Sequence, residues 1–318
     1  MSGRLTENKI ILIKRRTRLE ELIVRYNTIQ QAQFYIERLG ADFSDYLQED
    51  AQYRQAISRT LNELEVIGRV QLLDREHVPN FIFGEQDVVV VLGQDGLVAN
   101  TLKYVEHQPL IGVNPDPLRW DGVLLPFTVG DLKLVVPDVL RRRRPIKEVT
   151  LAKAQLNDGQ VMYGVNDLFI GRKTHVSARY QLKLESYTEQ HSSSGIIVST
   201  GLGSTGWLRS IMAGAAGIMR AVTCKETGAH LDRQDERLAP VWDAPSLRFS
   251  VREPFPSRTT SAELVFGEIT DGRPLRITSQ MPEDGVIFSD GVESDYLEFN
   301  AGVEAVIGPA ERKGRLVH

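Results

Sequence analysis

The sequence predicts two domains, an α/β N-terminal domain built on an open parallel sheet and a β-rich, sandwich-like C-terminal domain. The first observation is a continuous apolar run, Val88 to Leu92, as a strand buried on both faces of a parallel sheet requires. It ends directly in Gly93-Gln94-Asp95-Gly96. The second is a change near Pro126, after which short segments of period two replace an alternation of strand and helix signals. The third is length: 318 residues exceed what one hydrophobic core ordinarily organises. The expected division is 1–125 for the α/β domain, 126–300 for the β-rich domain, and a segment 301–318 that returns to the first.

Within the first domain, Ile10 to Ile13 makes a short strand, and Thr17-Arg18-Leu19-Glu20 is a capping-box pattern that opens a helix. Thr28-Ile29-Gln30-Gln31 repeats the signal, so the helix breaks near Asn27, restarts, and stops at Gly40, where a left-handed C-terminal residue suits glycine. A second helix runs from about Ser44 to Ile67, with Leu47, Ala51, Ile57, Leu61, Leu64 and Ile67 on its apolar face and Gly68 closing it. Val70 to Leu73 and Val88 to Leu92 are the next strands. Leu97 to Val105 is a helix whose N-terminal N–H donors point at the Gly93 to Gly96 turn. Pro109 to Val113 adds a strand that ends in Asn114-Pro115-Asp116-Pro117, at the carboxyl edge where ligands bind such sheets.

In the second domain the alternation of Val176, Ala178, Tyr180, Leu182 and Leu184 with polar residues marks a half-buried antiparallel strand. Further strands are expected at Ile146 to Ala152, Val161 to Ile170, Gly195 to Ser199, Leu247 to Val251, Leu264 to Phe266, Leu275 to Ile277 and Val286 to Phe288. One strand runs into Gly201-Leu202-Gly203-Ser204-Thr205-Gly206-Trp207 and then into a small-residue helix, Ser210 to Met219. Strand, glycine turn with hydroxyls, then helix is a phosphate or nucleotide cradle by the same physics as the first turn.

Composition narrows the function. A net charge of −4 with mixed signs gives no basic field for nucleic acid or an anionic membrane surface. The single cysteine, Cys224, excludes an intramolecular disulfide framework and fits a reducing, cytoplasmic setting, as a buried or bystander thiol. No apolar run approaches the roughly 20 residues that span a bilayer. The histidines lack metal-site spacing, so no side-chain metal site is expected. Arg141 to Arg144, bracketed by Pro137 and Pro145, reads as a solvated connection in preference to a phosphate or polyphosphate contact. In the first glycine turn the two glycines let the backbone approach a ligand closely, and Asp95 between them has no hydrophobic reason to be there. It reads as a base beside a phosphate.

Three motifs in order carry a resemblance: Gly93-Gln94-Asp95-Gly96, Asn166-Asp167, and Ser199 to Trp207. They resemble the signatures of the NAD kinases, relatives of the diacylglycerol and sphingosine kinases, which read Gly-Gly-Asp-Gly-Thr, Asn-Glu or Asn-Asp, and Thr-Pro-Thr-Gly-Ser-Thr-Ala-Tyr. Gly112-Val113-Asn114 and Ser289-Asp290-Gly291 are similar to further family signals. The resemblance implies a site in a cleft between two domains and transfer of the ATP γ-phosphoryl, or that of polyphosphate, to the 2′-hydroxyl of the NAD adenosine ribose. It implies Asp95 as the base on that hydroxyl, Gly93 and Gly96 beside the phosphates, and Mg²⁺ with ATP. Asn166 and Asp167 match the pair that holds the adenosine half, while Ser194, Thr205, Gly206, Trp207 and Ser210 fall where the family lines its adenine and nicotinamide pockets. A homodimer or homotetramer is implied as well.

The departures from the family pattern are Gln94 for glycine and Leu97 for threonine in the first motif, Gly201 for proline and Trp207 for tyrosine in the third, Ser194 for an aspartate, and Pro245 where a histidine-bearing segment would lie. They bear on the acceptor more than on the fold. Two alternatives therefore stand beside NAD phosphorylation: a kinase of the same fold acting on a sugar, nucleoside or lipid hydroxyl, and a non-catalytic nucleotide-binding sensor.

Overall fold

The computed structural model describes residues 4–223 and 241–318; Cys224 lies outside them. The chain forms two compact units, 1–147 with 315–318, and 148–314.

The first unit opens with β1 (Lys9–Lys14), α1 (Arg18–Tyr26), α2 (Ile29–Arg38), α3 (Ser44–Glu65) and β2 (Arg69–Asp74). It continues through β3 (Val88–Leu92), α4 (Asp95–Leu102), β4 (Leu110–Asn114), β5 (Phe127–Thr128) and α5 (Leu132–Leu140). The strands pair in parallel in the order β2-β1-β3-β4-β5, with Leu316 from the chain's end beside Leu110. Every residue of β3 and β4 is buried, so the sheet is covered on both faces, as the unbroken apolar run requires. Each fully buried aliphatic side chain in such a strand contributes about 1.5–3 kcal/mol. Tyr53, Ala56 and Leu64 of α3 and Leu132, Val135 and Val136 of α5 pack with Val88, Val90 and Leu92 in one core.

The local signals at the N-terminus operate as read. Thr17 accepts the Glu20 N–H while the Glu20 carboxylate accepts the Thr17 N–H, Thr28 accepts the Gln31 N–H, and Asn27 between the helices is left-handed (φ 66°). The buried face of α3, however, is Glu49, Tyr53, Ala56, Thr60 and Leu64, and Leu47 is 46% exposed. Glu49 sits inside because Arg15 and Arg18 both donate to its carboxylate. Gly68 is not left-handed, and a Cβ there would lie tightly at 3.0 Å from the Thr6 methyl.

The second unit carries β6 (Ile146–Leu156), whose first two residues belong to the first unit, then β7 (Val161–Gly164), β8 (Asp167–Arg172), β9 (Ala178–Leu184), β10 (Tyr187–Ser193) and β11 (Ile196–Ser199). After α6 (Trp207–Thr223) come β12 (Ser246–Val251), β13 (Phe266–Thr270), β14 (Leu275–Ser279), β15 (Gly285–Ser289), β16 (Tyr296–Glu298) and β17 (Glu304–Val317). One antiparallel sheet runs β13-β12-β11-β8-β15-β16, and the other strands follow the order β10-β9-β14-β17-β6-β7. Leu168, Ile170, Val198 and Phe249 of the first meet Ala154, Tyr180, Leu182 and Ile277 of the second in a single core, a sandwich.

Four expectations are corrected. The division between units falls after Lys147, not near residue 125, because α5 packs on the parallel sheet. That helix follows Pro126 despite Pro137 in its interior. The expected strand Val161 to Ile170 is two strands, broken at Val165-Asn166. The expected strand Leu264 to Phe266 lies further on, at Phe266–Thr270. Among the described residues no helix is long and apolar enough to cross a membrane.

Candidate functional site

In the first unit, Asp95 is the first residue of α4 with Gln94 as N-cap, so the turn and the helix are continuous and begin earlier than Leu97. Both Asp95 carboxylate oxygens accept backbone N–H groups, one from Val123 at 3.1 Å and the other from Leu124 at 2.7 Å. The loop that supplies them lies across the end of β4. Gly112 has no Cβ because the Leu124 carbonyl lies 2.0 Å from where one would sit, and Gly122 is left-handed at φ 66°. Asn114 completes the clamp, donating its amide to the Trp120 carbonyl and accepting the Asp116 N–H. The carboxylate is thereby fixed in orientation while each oxygen keeps a lone pair for a further donor.

The two glycines beside Asp95 differ. A Cβ on Gly93 would meet the Leu97 side chain at 2.8 Å, so Leu97 fills the space under the turn as a buried apolar contact. A Cβ on Gly96 would meet nothing within 4 Å, which leaves the first turn of α4, with its N–H donors and positive dipole end, open to an anion. Behind the turn, Tyr53 donates its hydroxyl to the Leu92 carbonyl at 2.7 Å and accepts the Arg15 N–H at 3.1 Å. Burial pushes that phenol up to about 12, so it stays a donor throughout the physiological range.

In the second unit, Asn166 and Asp167 lie where β7 gives way to β8. The Asp290 carboxylate accepts the N–H groups of Val165, Asn166 and Asp167, with Asn166 closest at 2.6 Å. Asp290 and Gly291 are both left-handed, φ 54° and 71°, which turns that carboxylate back on the Asn166 segment. From the other side the Thr200 hydroxyl donates to the Val165 carbonyl at 2.6 Å, and Gly203 approaches so closely that a Cβ would lie 2.1 Å from the Asn166 carbonyl. The second and third motifs are thus one packed assembly. Burial pushes the Asp167 carboxyl up to about 7, with the neighbouring Asp290 carboxylate adding to the rise and a Ser199 hydrogen bond opposing it. Its Oδ1 is buried without a hydrogen-bond partner among the described residues.

Trp207 and Ser194 line a cavity of about 370 Å³. The Trp207 ring is parallel to Phe169 at 5.9 Å, Phe288 extends the stack at 4.8 Å, and the Arg252 guanidinium lies 5.4 Å from the Trp207 centroid. Stacked rings with a cation at the rim can hold a planar heteroaromatic group. Thr205, Gly206 and Ser210 are exposed at the start of α6 and do not line that cavity; the Ser210 hydroxyl turns back to the Gly206 carbonyl at 3.3 Å. Phe169, Phe288 and Arg252 were not among the expected site residues, since nothing in the local sequence distinguishes them from strand residues. Asp290 was noted only as part of a resemblance, and its signal is an Asp-Gly pair directly after an apolar strand. Among the described residues no group of three or more histidine, cysteine or acidic side chains could hold a metal ion.

No protein-family model matches the chain. It is 25% identical over 229 residues to the NAD kinase of Caldicellulosiruptor saccharolyticus, covering 71% of this chain and 75% of that relative. It is 28% identical over 129 residues to the NAD kinase of Clostridium kluyveri, 38% of this chain and 44% of that protein. Among solved structures, an NAD kinase from Archaeoglobus fulgidus in complex with ATP superposes with a TM-score of 0.56 at 15% identity, over 98% of this chain and 93% of that one. Yeast NADH kinase complexed with NADH gives 0.56 and 15%, over 98% of this chain and 84% of its own. At that identity the structural likeness speaks for the fold.

Proposed function

We propose that this chain, a divergent member of the NAD kinase family and a phosphotransferase with an alcohol acceptor, transfers the γ-phosphoryl of ATP to the 2′-hydroxyl of the adenosine ribose of NAD, making NADP. The observation that carries the reading is Asp95, a carboxylate held by two backbone N–H groups on the first turn of a helix whose next residue, Gly96, opens onto free space. In this reading Asp95 takes the proton of the attacking hydroxyl, while the α4 N–H groups receive the phosphate charge. Asn166, Asp167 and the Thr205 to Trp207 segment, with Ser194 and Ser210, receive the dinucleotide. The Asp290 carboxylate is a positioning group that fixes the Asn166 backbone.

Magnesium enters as part of the substrate, Mg·ATP. When bound it neutralises phosphate charge; the chain's own residues align the acceptor and accept its proton. A homodimer or homotetramer belongs to the same proposal. The test is to incubate purified protein with Mg·ATP and NAD and detect NADP with an NADP-specific dehydrogenase. NADP formation supports the reading. ATP-dependent phosphorylation of a sugar, nucleoside or lipid hydroxyl instead, or nucleotide binding without turnover, replaces it by one of the two alternatives.

A further inference from the structure

The amino ends of the parallel strands carry a second cavity, of about 500 Å³, which neither Asp95 nor the two other motifs touch. Asn8 just before β1, Asp87 just before β3 and Pro109 just before β4 lie on its wall, whereas Asp95 follows the other end of β3. The five residues of that strand put roughly 16 Å between the two ends of the sheet.

Four basic side chains line this cavity: His107, Arg142, Arg144 and Arg315. Arg142 is held there in a conformation that favours glycine. It follows α5 at φ 56°, donating its N–H to the Val139 carbonyl while Arg143 donates to the Asp138 carbonyl, the double closure of a left-handed helix terminus. Glycine is the ordinary occupant of that position because a Cβ strains it. Arg143, in contrast, is turned away to the Asp138 carboxylate at 2.6 Å, and so does not line the cavity.

The other two arginines are fixed by the fold. Arg315 donates one guanidinium N–H to the His107 carbonyl at 2.7 Å and sits one residue before Leu316, which pairs with Leu110 of β4. Arg144 lies over the Phe127 ring at 5.7 Å and 3.8 Å from Asp138. The His318 N–H donates to the Pro145 carbonyl at 3.1 Å, so the chain's end secures the arginine loop. Facing these cations are two carboxylates. Asp87 is occupied by the Gly84 N–H at 2.8 Å, which leaves Glu85, an exposed residue of the cavity lining. Cations gathered round one cavity repel one another, and an anion of two or more charges relieves that repulsion while accepting bidentate hydrogen bonds from the guanidinium groups.

We propose that this cavity is a second binding site, for a small phosphorylated molecule whose phosphate lies among Arg142, Arg144 and Arg315 and whose hydroxyl or amino groups face Glu85 and Gln86. Arg141 to Arg143 are exposed, as a solvated connection requires, and the proposal adds a ligand-facing role for Arg142 and Arg144. This inference does not depend on the phosphotransferase reading, because the site lies at the opposite end of the sheet from Asp95.

The probe is inorganic pyrophosphate, titrated calorimetrically into the full chain at low salt, with Arg142→Gly and Arg142→Lys as variants. Glycine is suited to φ 56°, so Arg142→Gly keeps or raises the unliganded melting temperature, which separates binding from folding. The expected result is a binding event in the wild-type protein that Arg142→Gly weakens at least tenfold and Arg142→Lys weakens far less, with Gly96→Ala at the α4 turn leaving it in place. Absence of binding at millimolar pyrophosphate, or equal affinity in wild type and Arg142→Gly, overturns the proposal. Retention in Arg142→Gly with loss in Gly96→Ala assigns the anion to the α4 turn and overturns it equally.

Discussion

The Asn166 backbone N–H donates to the Asp290 carboxylate at 2.6 Å, across 124 residues of sequence. That bond and its two neighbours from Val165 and Asp167 make one carboxylate responsible for the turn between β7 and β8. A hydrogen bond to a charged group contributes about 1.5–3 kcal/mol, and buried donors left without an acceptor cost more. Asp290→Ala is therefore expected to destabilise the protein by about 2–4 kcal/mol, and Asp290→Asn, which keeps one acceptor and tolerates the left-handed backbone, by about half as much. Urea unfolding midpoints at constant m-value measure both.

Asp167 gives a pH dependence of defined sign. Its carboxyl is raised from the usual carboxylate range to about 7, chiefly by burial. The folded state therefore holds this proton between roughly pH 4 and 7 where the unfolded state has released it, so its contribution favours folding at low pH and is lost as pH rises toward 7. Asp167→Asn removes the titration. The melting temperature of the variant minus that of the wild type should increase from pH 5 to pH 8; a difference that is flat or falls with pH would contradict the assignment.

Tyr53 bridges Leu92 and Arg15 from α3, directly behind the Gly93 to Gly96 turn. Tyr53→Phe leaves a buried carbonyl and an N–H without that partner, at a cost of about 1–3 kcal/mol. If the bridge also sets the position of the turn, kcat falls while the KM for NAD changes little, a split that steady-state kinetics resolves.

Two glycines separate folding from function. Gly203→Ala places a Cβ 2.1 Å from the Asn166 carbonyl, a backbone atom that cannot yield, and should prevent soluble folding or lower the melting temperature steeply. Gly96→Ala meets nothing within 4 Å and replaces a glycine in a helix, so stability should hold or rise by up to about 1 kcal/mol. The proposed phosphate approach over that turn predicts at least a tenfold loss of turnover in the same variant. Thermal melting and initial rates on one preparation test the pair.

Much of this was legible in the sequence wherever one local interaction decides the structure. The Thr17 and Thr28 caps, the helix break at Asn27 and the buried β3 run each follow from side chains within a few residues. The polar strand β10 was not foreseen, because its pairing with β9 comes from backbone hydrogen bonds and its sequence lacks an apolar period. The buried face of α3 was read in part: Leu64 is in the core and Ile57 and Leu61 pack against it, whereas Glu49 is internal only because Arg15 and Arg18 reach it from elsewhere in the chain. Around the site, the glycine turns and the Asn166-Asp167 pair stood out as short motifs, whereas Asp290, Phe169 and Arg252 take their roles from tertiary placement.

Asp95 carries the central claim, and the most direct measurement compares wild type with Asp95→Asn for NADP formation from NAD and Mg·ATP. General base catalysis of this kind contributes about 10²–10⁴-fold. The amide preserves an acceptor for only one of the Val123 and Leu124 N–H groups, so the fold should persist with a lowered melting temperature. The predicted result is NADP formation by the wild type and a fall in kcat of at least a hundredfold in Asp95→Asn, measured below the melting temperature of both proteins. NADP formation at wild-type rate by Asp95→Asn, or none by the wild type while both bind nucleotide, would contradict it.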